Sequence, residues 1–448
     1  MDVFVIEGGR KLNGSLRING SKNAALPLLA GVLLSDQPVT LRDVPELSDI
    51  NNMLRLLGEL GVEFRREGTT VTLRAVDESE VHARYDIVRT MRASICVLGP
   101  MLARRGTARV SMPGGCAIGQ RPVDLHLRGL EALGATIELE GGDIVARVPK
   151  SGRLIGDIIF LGGPFGSTVL GTANVMSAAT LAQGTTVIEC AACEPEIVDL
   201  AAMLNAMGAK IRGAGSPRIV IEGVESLGGV EHTIMPDRIE AGTYMCAAAA
   251  TGSTIELTNC PLDAMMSAVD RLEAMGVHID PTDHPRGVTP DQPLRRTCTI
   301  YAPESLRSVQ ITTQPHPGFP TDLQAQFMAA LCMARGNSVV TEKIFPERFL
   351  HVAELTRMGA QVHRHGTTAV ISGVEHLTGA PVMASDLRAS ACLVIAGLAA
   401  RGTTVVNRVY HIDRGYERLE ERLSALGASI ARISEDELSE RGLIASGE

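Results

Sequence analysis

The chain has 448 residues, of which 45% are hydrophobic and 21% charged, so it is long enough for two or three domains with real cores. Its 51 acidic and 42 basic side chains give a formal net charge of -9, which argues against a nucleic-acid partner, because such proteins normally present a basic face. An anionic ligand would therefore have to bind at a local basic site.

The N-terminal segment MDVFVIEGGR has no charged-then-apolar leader, and the longest apolar run, residues 389–400, is too short to span a bilayer. We therefore expect a cytoplasmic protein with no membrane partner. In that compartment the nine cysteines are expected to be reduced thiols rather than disulfides. The sequence leaves the oligomeric state open.

A helix, a glycine and a strand follow one another six times along the chain. The helix is amphipathic, the glycine ends it and the strand alternates, as is usual at a helix C-terminus. The copies are LGELGVEF (57–64), LEALGATI (130–137), LNAMGAKI (204–211), LEAMGVHI (272–279), LTRMGAQV (355–362) and LSALGASI (423–430). Their glycines are 68 to 83 residues apart, too far and too uneven for a solenoid, so we predict two domains of three units each. Chance matches in a chain rich in Ala, Leu and Gly are the alternative.

A second, apolar helix is predicted before each copy. The segments are NAALPLLAGVLL, ASICVLGPMLA, ANVMSAATLA, EAGTYMCAAAA, LQAQFMAALCMA and ASACLVIAGLAA. Helices that are apolar nearly all round belong in buried positions. Five of them are predicted to end at a glycine that a strand follows, namely Gly106, Gly184, Gly252, Gly336 and Gly402. The predicted unit is therefore buried helix, strand, surface helix, strand, and the fold class is α/β.

Polar and charged residues stand at the predicted start of these apolar helices, where a core position would not need them. Helix N-termini carry unpaired N–H groups and a partial positive charge, so several that converge on one cleft would bind an anion. The segments are Ser21-Lys22-Asn23, Arg92-Ala93-Ser94, Asp237-Arg238-Ile239-Glu240, Thr321-Asp322-Leu323-Gln324 and Asp386-Leu387-Arg388.

The glycine-rich segment MPGGCAIGQRPVDLH at residues 112–126 is predicted to be a mobile loop. Its three glycines let the backbone approach a ligand closely, and such loops act as lids. Cys116, beside Arg121, would be an exposed thiol in a positive environment, which favours reactivity. The alternative is a buried cysteine that only fills space.

Cys190 and Cys193 form a C-x-x-C pair, but no second pair of ligands follows at zinc-site spacing. We therefore predict no metal and no cofactor, and we interpret these cysteines as small apolar residues at the end of a strand. No G-x-G-x-x-G motif follows a predicted strand, which argues against a nicotinamide enzyme.

Seven segments, spread in order over nearly the whole chain, match the motifs of a known family. They are GSKNAALPLLAG, MRASICVLGP, PGGCAIGQRPVDLH, PTDLQAQF, ERFLHV, SDLRAS and YHIDRGYER. Together they are similar to the UDP-N-acetylglucosamine enolpyruvyl transferase family. The related shikimate-phosphate enolpyruvyl transferases share the architecture but lack the PGGC loop. The resemblance implies two inside-out α/β barrel domains, each of three repeats. We place the first domain at residues 21–236 and the second at residues 1–20 plus 237–448.

The resemblance also implies an activity, the transfer of the enolpyruvyl group of phosphoenolpyruvate to the 3-hydroxyl of UDP-N-acetylglucosamine, which is the first committed step of peptidoglycan precursor synthesis. The residues that match the family's phosphoenolpyruvate contacts are Lys22, Asn23, Arg121, Arg348, Arg388 and Arg414. Those that match its nucleotide-sugar contacts are Arg92, Arg121, Pro122, Val123, Asp124, Leu125, Asp322 and Ile344. Cys116 matches the cysteine that bonds covalently to phosphoenolpyruvate and that the epoxide antibiotic fosfomycin alkylates.

The implied reaction is an addition followed by an elimination. C2 of phosphoenolpyruvate becomes electrophilic only when C3 is protonated, so an acid is needed, and Cys116 is the family's candidate. Asp322, at a predicted helix start, is the predicted base or orienter for the sugar hydroxyl; a helix N-cap is the structural alternative, and the two roles are compatible. Lys22 and Arg414 complete the predicted catalytic set, because the anionic reactants repel each other unless cations neutralise them.

One segment departs from the family pattern. Where the family has a short motif similar to S-V-G-A-T beside the nucleotide diphosphate, this chain has a longer segment, GGPFGSTVLGT at residues 162–172. We predict that Ser167 and Thr168 donate hydrogen bonds there instead. Residues 281–296 (PTDHPRGVTPDQPLRR) are predicted to be a surface insertion, and the polar tail at 434–448 is expected to be disordered.

Two other functions stay open on the sequence alone. The first is the same transfer to another uridine nucleotide in secondary metabolism. The second is a catalytically silent homologue that senses a nucleotide sugar, although Lys22, Cys116, Asp322 and Arg414 together argue against it, because binding alone needs no proton donor.

Overall fold

The computed structural model describes residues 2–113, 123–282 and 295–440. Within these ranges the chain forms two compact units. The first unit comprises residues 20–113 and 123–235, and the second comprises residues 2–19, 236–282 and 295–440. The chain therefore leaves the second unit after Asn19 and returns to it at Pro236.

The strands of the described residues form six four-stranded sheets, three in each unit, and all six have the same pairing pattern. The first edge strand is parallel to its neighbour and the other two pairings are antiparallel. The second unit follows the same rule. The parallel edge strands are Asn13–Arg17, His82–Ala83, Ile158–Phe160, Val230–Thr233, Gln310–Thr312 and Pro381–Met383.

Each parallel edge strand pairs with the strand that follows a buried helix. These strands are Val39–Arg42, Thr107–Ser111, Thr185–Glu189, Thr254–Cys260, Asn337–Thr341 and Thr403–Asn407. The remaining antiparallel pairs are Val62–Glu67 with Thr70–Ala75, Thr136–Glu140 with Asp143–Arg147, Lys210–Arg212 with Arg218–Glu222, His278–Pro281 with Arg296–Tyr301, Gln361–His365 with Thr368–Ser372, and Ser429–Ser434 with Asp2–Glu7.

The helices alternate between buried and surface positions, as predicted. The buried ones are Lys22–Gly31, Leu98–Arg105, Val169–Ala179, Arg238–Thr251, Gln324–Leu331 and Leu387–Ala399. The surface ones are Ser48–Glu59, Asp124–Ala132, Pro195–Ala206, Met266–Met275, His351–Arg357 and Leu419–Ala425. Shorter helices are Val32–Leu34, Tyr85–Val88, Arg92–Val97, Leu262–Met265, Thr321–Leu323, Val409–Arg414 and Glu435–Glu440. In the second unit the three buried helices pack on one another. In the first unit Val169–Ala179 packs on the other two, and Lys22–Gly31 packs on the short helix Arg92–Val97 that leads into Leu98–Arg105.

Glycines end the helices where the sequence predicts. All eleven glycines predicted at helix ends have a positive φ, between 61° and 109°. Side chains rarely adopt this left-handed conformation, whereas glycine adopts it without steric cost, so these residues stop each helix and turn the chain into the next strand.

The α/β class is confirmed, but each repeat holds two more strands than predicted. The parallel edge strands have two to five residues, and most are too short to show an alternating pattern. The N-terminal strands Asp2–Glu7 and Asn13–Arg17 complete two sheets of the second unit, which only tertiary pairing reveals.

Two predictions on exposed segments have different outcomes. Disorder of the tail is wrong for Glu435–Glu440, which forms a helix that buries Leu438 against Val3 and Ile433. Most of the predicted insertion at 281–296 lies outside the described residues, as does the end of the tail. Among the helices that the structure describes, none is long and apolar enough to cross a membrane.

Candidate active site

Asp322 lies between two arginines in the second unit. Its Oδ1 atom accepts a hydrogen bond from Nη1 of Arg348 and its Oδ2 atom accepts one from Nη2 of Arg388, each at 2.8 Å. The residue belongs to the short helix Thr321–Leu323, which begins directly after Pro320. The N-cap residues of this helix and of the next one, Gln324–Leu331, are Pro320 and Leu323, so Asp322 lies within the first turn and not at an N-cap position.

The charges of this cluster keep the carboxyl ionised. Burial raises the pKa of Asp322, but Arg388 and Arg348 outweigh that effect and hold the pKa well below its usual range. The Asp322 side chain is 26% exposed, whereas those of Arg348 and Arg388 are only 7% and 5% exposed. Asp322 therefore has two guanidinium groups as its hydrogen-bond partners.

Arg348 is held through a second carboxylate that the sequence analysis missed. Its Nη1 atom also donates to the hydroxyl of Thr321 at 3.0 Å, and that hydroxyl donates to Oε2 of the fully buried Glu342 at 2.9 Å. The Nε atom of Arg348 is buried and has no hydrogen-bond partner among the described residues.

Glu342 also holds the backbone at Ile344. Its Oε1 atom accepts hydrogen bonds from the backbone N–H groups of Ile344 at 2.8 Å and Phe345 at 2.9 Å, and from the hydroxyl of Thr313 at 2.7 Å. Ile344 is a predicted nucleotide-sugar contact, and its backbone N–H group is hydrogen-bonded within the protein.

Arg388 is the second residue of the buried helix Leu387–Ala399 and is held by Asp386 and Tyr416 as well as by Asp322. Asp386 caps this helix, because its Oδ1 atom accepts the N–H groups of Arg388 at 2.9 Å and Ala389 at 3.1 Å. The Nη1 atom of Arg388 donates to the hydroxyl of Tyr416 at 3.2 Å. Arg414 ends the short helix Val409–Arg414, and with burial it lowers the pKa of His411.

Lys22 lies at the start of the first buried helix, in the first unit. Its Nζ atom is 2.6 Å from Oδ2 of Asp49, and the two side chains are only 10% and 3% exposed. Ser21 caps the helix through its hydroxyl, which accepts the N–H of Ala24 at 3.3 Å. Asn23 follows Lys22 in the first turn.

Three helix starts in the first unit carry the predicted nucleotide-sugar residues. Arg92 begins the helix Arg92–Val97, Val123 and Asp124 begin Asp124–Ala132, and Thr168 caps Val169–Ala179 by accepting the N–H of Gly171 at 3.2 Å. Leu125 lies against Gly163 of the segment that departs from the family. Ser167 directly precedes Thr168 in the chain.

Asn174 joins these three helices, and its role could not be seen in the sequence. Its Oδ1 atom accepts the N–H of Gly99 at 2.5 Å, and its Nδ2 atom donates to the carbonyl of Ile95 at 2.9 Å and to Nδ1 of His126 at 3.1 Å. His126 lies one turn from Gly129, where a Cβ would overlap Val175. A buried amide thus sets the relative positions of the three helix starts.

Comparison with known proteins identifies the family. The model of the family "EPSP synthase (3-phosphoshikimate 1-carboxyvinyltransferase)" matches residues 6–423. Curated proteins named UDP-N-acetylglucosamine 1-carboxyvinyltransferase are 54% identical in Nitratidesulfovibrio vulgaris, over 97% of this chain and 100% of that protein, and 51% identical in Methylacidiphilum infernorum, over 97% and 99%. The protein of that name from Akkermansia muciniphila is 50% identical over 98% of this chain and all of its own length.

This chain belongs to the UDP-N-acetylglucosamine 1-carboxyvinyltransferase family. The resemblance seen in the sequence is thereby confirmed, and the protein is an enzyme, a transferase. Among solved structures, the enolpyruvyl transferase NikO from Streptomyces tendae matches with a TM-score of 0.84 at 25% identity, over 96% of this chain and 98% of that one. EPSP synthase from Acinetobacter baumannii, 18% identical over 97% and 100% of the two chains, shares the fold with a TM-score of 0.74.

The predicted site residues divide between the two units. Asp322, Arg348 and Arg388 are brought together in the second unit, which also holds Ile344 and Arg414. The first unit holds Lys22, Asn23, Arg92, Val123, Asp124, Leu125, Ser167 and Thr168. Cys116, Arg121 and Pro122 lie outside the described residues.

Residues with metal-binding side chains do not cluster in the described part of the chain, where no group of three or more could hold an ion. Cys190 and Cys193 directly follow the strand Thr185–Glu189 and are half-buried. The Cys190 sulfur lies against Gly162.

Proposed function

We propose that this protein transfers the enolpyruvyl group of phosphoenolpyruvate to the 3-hydroxyl of UDP-N-acetylglucosamine and releases phosphate, in the cytoplasm, as a step of peptidoglycan precursor synthesis. Relatives that are 50–54% identical over nearly the whole chain are named for this transfer. The observation in this chain that carries the proposal is Asp322 held between Arg348 and Arg388. The cluster joins a proton acceptor to an anion site within a protein of net charge -9.

In the proposed reaction the sugar hydroxyl attacks C2 of phosphoenolpyruvate while C3 receives a proton. Asp322 accepts or orients the hydroxyl proton, and Cys116 donates the proton to C3. Phosphate then leaves from C2, a proton is lost from C3, and the double bond is restored. The two substrates thus become phosphate and the enolpyruvyl ether of the nucleotide sugar.

Arg348 and Arg388 have two tasks in this scheme, because they bind both Asp322 and phosphoenolpyruvate. In the free protein they hold the pKa of Asp322 well below its usual range, so the carboxylate is a weak base. A carboxylate and a phosphate from the substrate would compete for the same guanidinium groups and add negative charge nearby. Both effects raise the pKa of Asp322, so substrate binding itself makes the carboxylate a better base.

Lys22, Asn23 and Arg414 join the proposed phosphoenolpyruvate site, with Arg121. The nucleotide sugar is proposed to contact Arg92, the segment 121–125, Ser167, Thr168, Asp322 and the backbone near Ile344. Asp49 orients the Lys22 ammonium at 2.6 Å. We further propose that the two units are inside-out α/β barrel domains, close to residues 21–236 and 1–20 plus 237–448, and that no metal or cofactor takes part.

The test is phosphate release from phosphoenolpyruvate with a set of acceptors. Release that requires UDP-N-acetylglucosamine and is abolished by fosfomycin supports the proposal. Release with a simple uridine nucleotide instead would favour transfer in secondary metabolism, and the absence of release with every acceptor would support a nucleotide-sugar sensor. Cys116→Ser should lower turnover severely, whereas Cys116→Asp, still a proton donor, should stay active and resist fosfomycin.

A further inference from the structure

The hydroxyl of Tyr416 lies where the three buried helices of the second unit meet. Its oxygen is 2.8 Å from Oγ1 of Thr243, 3.2 Å from Nε2 of Gln326 and 3.2 Å from Nη1 of Arg388. These partners belong, one each, to the helices Arg238–Thr251, Gln324–Leu331 and Leu387–Ala399. Tyr416 is itself buried, so one oxygen atom ties the three helices together.

The direction of each hydrogen bond follows from the chemistry of the groups. Guanidinium and amide nitrogens only donate, so Arg388 and Gln326 use the two lone pairs of the Tyr416 oxygen. The Tyr416 hydroxyl therefore donates its hydrogen bond to Oγ1 of Thr243. The Thr243 hydroxyl in turn donates to the carbonyl of Ile239 at 2.7 Å. Burial raises the pKa of Tyr416 despite the nearby Arg388, which keeps this proton in place.

Tyr416 contacts Arg388 directly and is linked to the backbone of Asp322 through Gln326. Arg388 is held at Nη2 by Asp322 at 2.8 Å and at Nη1 by Tyr416, and its guanidinium carbon lies 5.7 Å from the centre of the Tyr416 ring. Gln326, which donates to Tyr416, also donates to the backbone carbonyl of Asp322 at 2.8 Å.

We infer that Tyr416 is a positioning residue, which fixes the guanidinium plane of Arg388 for phosphoenolpyruvate. This inference rests on the proposed function, in which Arg388 binds that substrate. A guanidinium held at one atom can rotate about that contact, whereas contacts at both terminal nitrogens fix its plane. Two parallel hydrogen bonds to a carboxylate or phosphate require such a fixed plane.

The same unit contains a matched control, Tyr244 with Arg422. Tyr244 is also buried, its hydroxyl accepts a hydrogen bond from Nε of Arg422 at 3.1 Å, and the guanidinium carbon lies 5.6 Å from its ring centre. Arg422 binds Asn19 and the carbonyl of Arg17 rather than a predicted substrate residue. Replacing either tyrosine by phenylalanine removes one hydroxyl that binds an arginine, but only one of these arginines belongs to the proposed site.

The experiment measures KM for each substrate, together with kcat, in full-length wild type, Tyr416→Phe and Tyr244→Phe. Tyr416→Phe should raise KM for phosphoenolpyruvate about tenfold, the effect of losing a hydrogen bond to a charged group, with KM for UDP-N-acetylglucosamine changed less than about twofold. Tyr244→Phe should change the KM for either substrate less than about twofold. The two variants should lower the Tm by similar amounts, because each loses one buried hydrogen bond to an arginine. Equal KM values for phosphoenolpyruvate in the two variants would overturn the inference.

A double-mutant cycle tests whether Tyr416 acts through Arg388. In an Arg388→Lys background, Tyr416→Phe should raise KM for phosphoenolpyruvate by less than about twofold, because coupled residues are not additive. The full tenfold effect in that background would contradict the inference.

If Tyr416→Phe does not fold, Thr243→Val removes the acceptor of the Tyr416 proton. It should raise KM for phosphoenolpyruvate relative to Thr243→Ser, and equal values would overturn the inference. Wild-type protein that releases no phosphate would refute the proposed function, and this inference would fall with it. Active wild type with unchanged KM in both tyrosine variants would refute the Tyr416 role alone.

Discussion

The Oδ2 atom of Asp322 lies 2.8 Å from Nη2 of Arg388. This contact joins the predicted base to a predicted anion-binding residue, although 66 residues separate them in the chain. In the free protein the contact suppresses the basicity of Asp322, and in the proposed complex the substrate competes for it. The same pair therefore links substrate binding to proton transfer.

Asp322→Asn should lower turnover by about 100-fold or more, the usual effect of losing a general base. It should also lower the free energy of unfolding by about 2–3 kcal/mol, because two arginines with 5–7% exposed side chains lose their shared counter-charge. Phosphate-release kinetics and urea unfolding at pH 7 measure the two effects. A variant with normal turnover would remove Asp322 from the base role.

The stability difference between wild type and Asp322→Asn should depend on pH in a defined way. The native pKa of Asp322 is well below its usual value, so ionised Asp322 stabilises the folded state. This contribution is full above the unfolded-state pKa of about 3.9 and is lost as the pH falls through the lower native pKa. Urea unfolding should give a constant difference from pH 8 to 5 and a smaller one below about pH 4. A decline already between pH 8 and 5 would contradict the ion-pair account.

Asp49→Asn should lower the free energy of unfolding by about 3 kcal/mol, because it removes the negative charge 2.6 Å from the buried Lys22 ammonium. The control is Asp270→Asn, which breaks an exposed pair with Arg271 and should cost less than about 1 kcal/mol. KM for phosphoenolpyruvate should rise only in the Asp49 variant. Equal stability losses in the two variants would show that the Lys22–Asp49 pair is unimportant for folding.

Asn174→Ala should lower the free energy of unfolding by about 3 kcal/mol, because it removes three buried hydrogen bonds and leaves a cavity. KM for UDP-N-acetylglucosamine should rise as well, since the three helix starts lose their common partner. Asn205→Ala is the control, because among the described residues the Asn205 side chain binds the nearby backbone of Ile211. An unchanged KM in Asn174→Ala would separate this junction from nucleotide-sugar binding.

Gly373→Ala should destabilise the second unit by about 2 kcal/mol or more, because the new Cβ would overlap the carbonyl oxygen of Ala334. Gly58→Ala should instead stabilise the protein by about 0.5–1 kcal/mol, since Gly58 is an exposed helical residue with open space around it. Urea unfolding of both variants checks the pair. An unchanged free energy of unfolding in Gly373→Ala would mean that the backbone can shift to accept the Cβ at no energetic cost.

Local signals made the repeat plan predictable, whereas the pairing of distant segments was not. A glycine such as Gly276 ends a helix for reasons contained in its own neighbourhood, because only φ matters there. The edge strand Pro381–Met383 has no such signal and is a strand only because Thr403–Asn407 lies beside it. The N-terminal strand Asp2–Glu7 likewise depends on Ser429–Ser434, more than 400 residues later.

The candidate site was predictable in its charged residues but not in their buried partners. Asp322 and Arg388 stand out as charges at the starts of apolar helices, where the local pattern alone marks them. Tyr416 meets Thr243 across 173 residues, and nothing near either residue indicates the contact. Glu342 and Asn174 were missed for the same reason, since only the fold shows what a buried polar side chain binds.

The most direct test of the central claim is mass spectrometry of the nucleotide sugar after incubation with phosphoenolpyruvate and the full-length protein, with phosphate measured in the same samples. The account predicts UDP-N-acetylglucosamine that has gained one carboxyvinyl group for each phosphate released. Phosphate released while the nucleotide sugar keeps its original mass would contradict it.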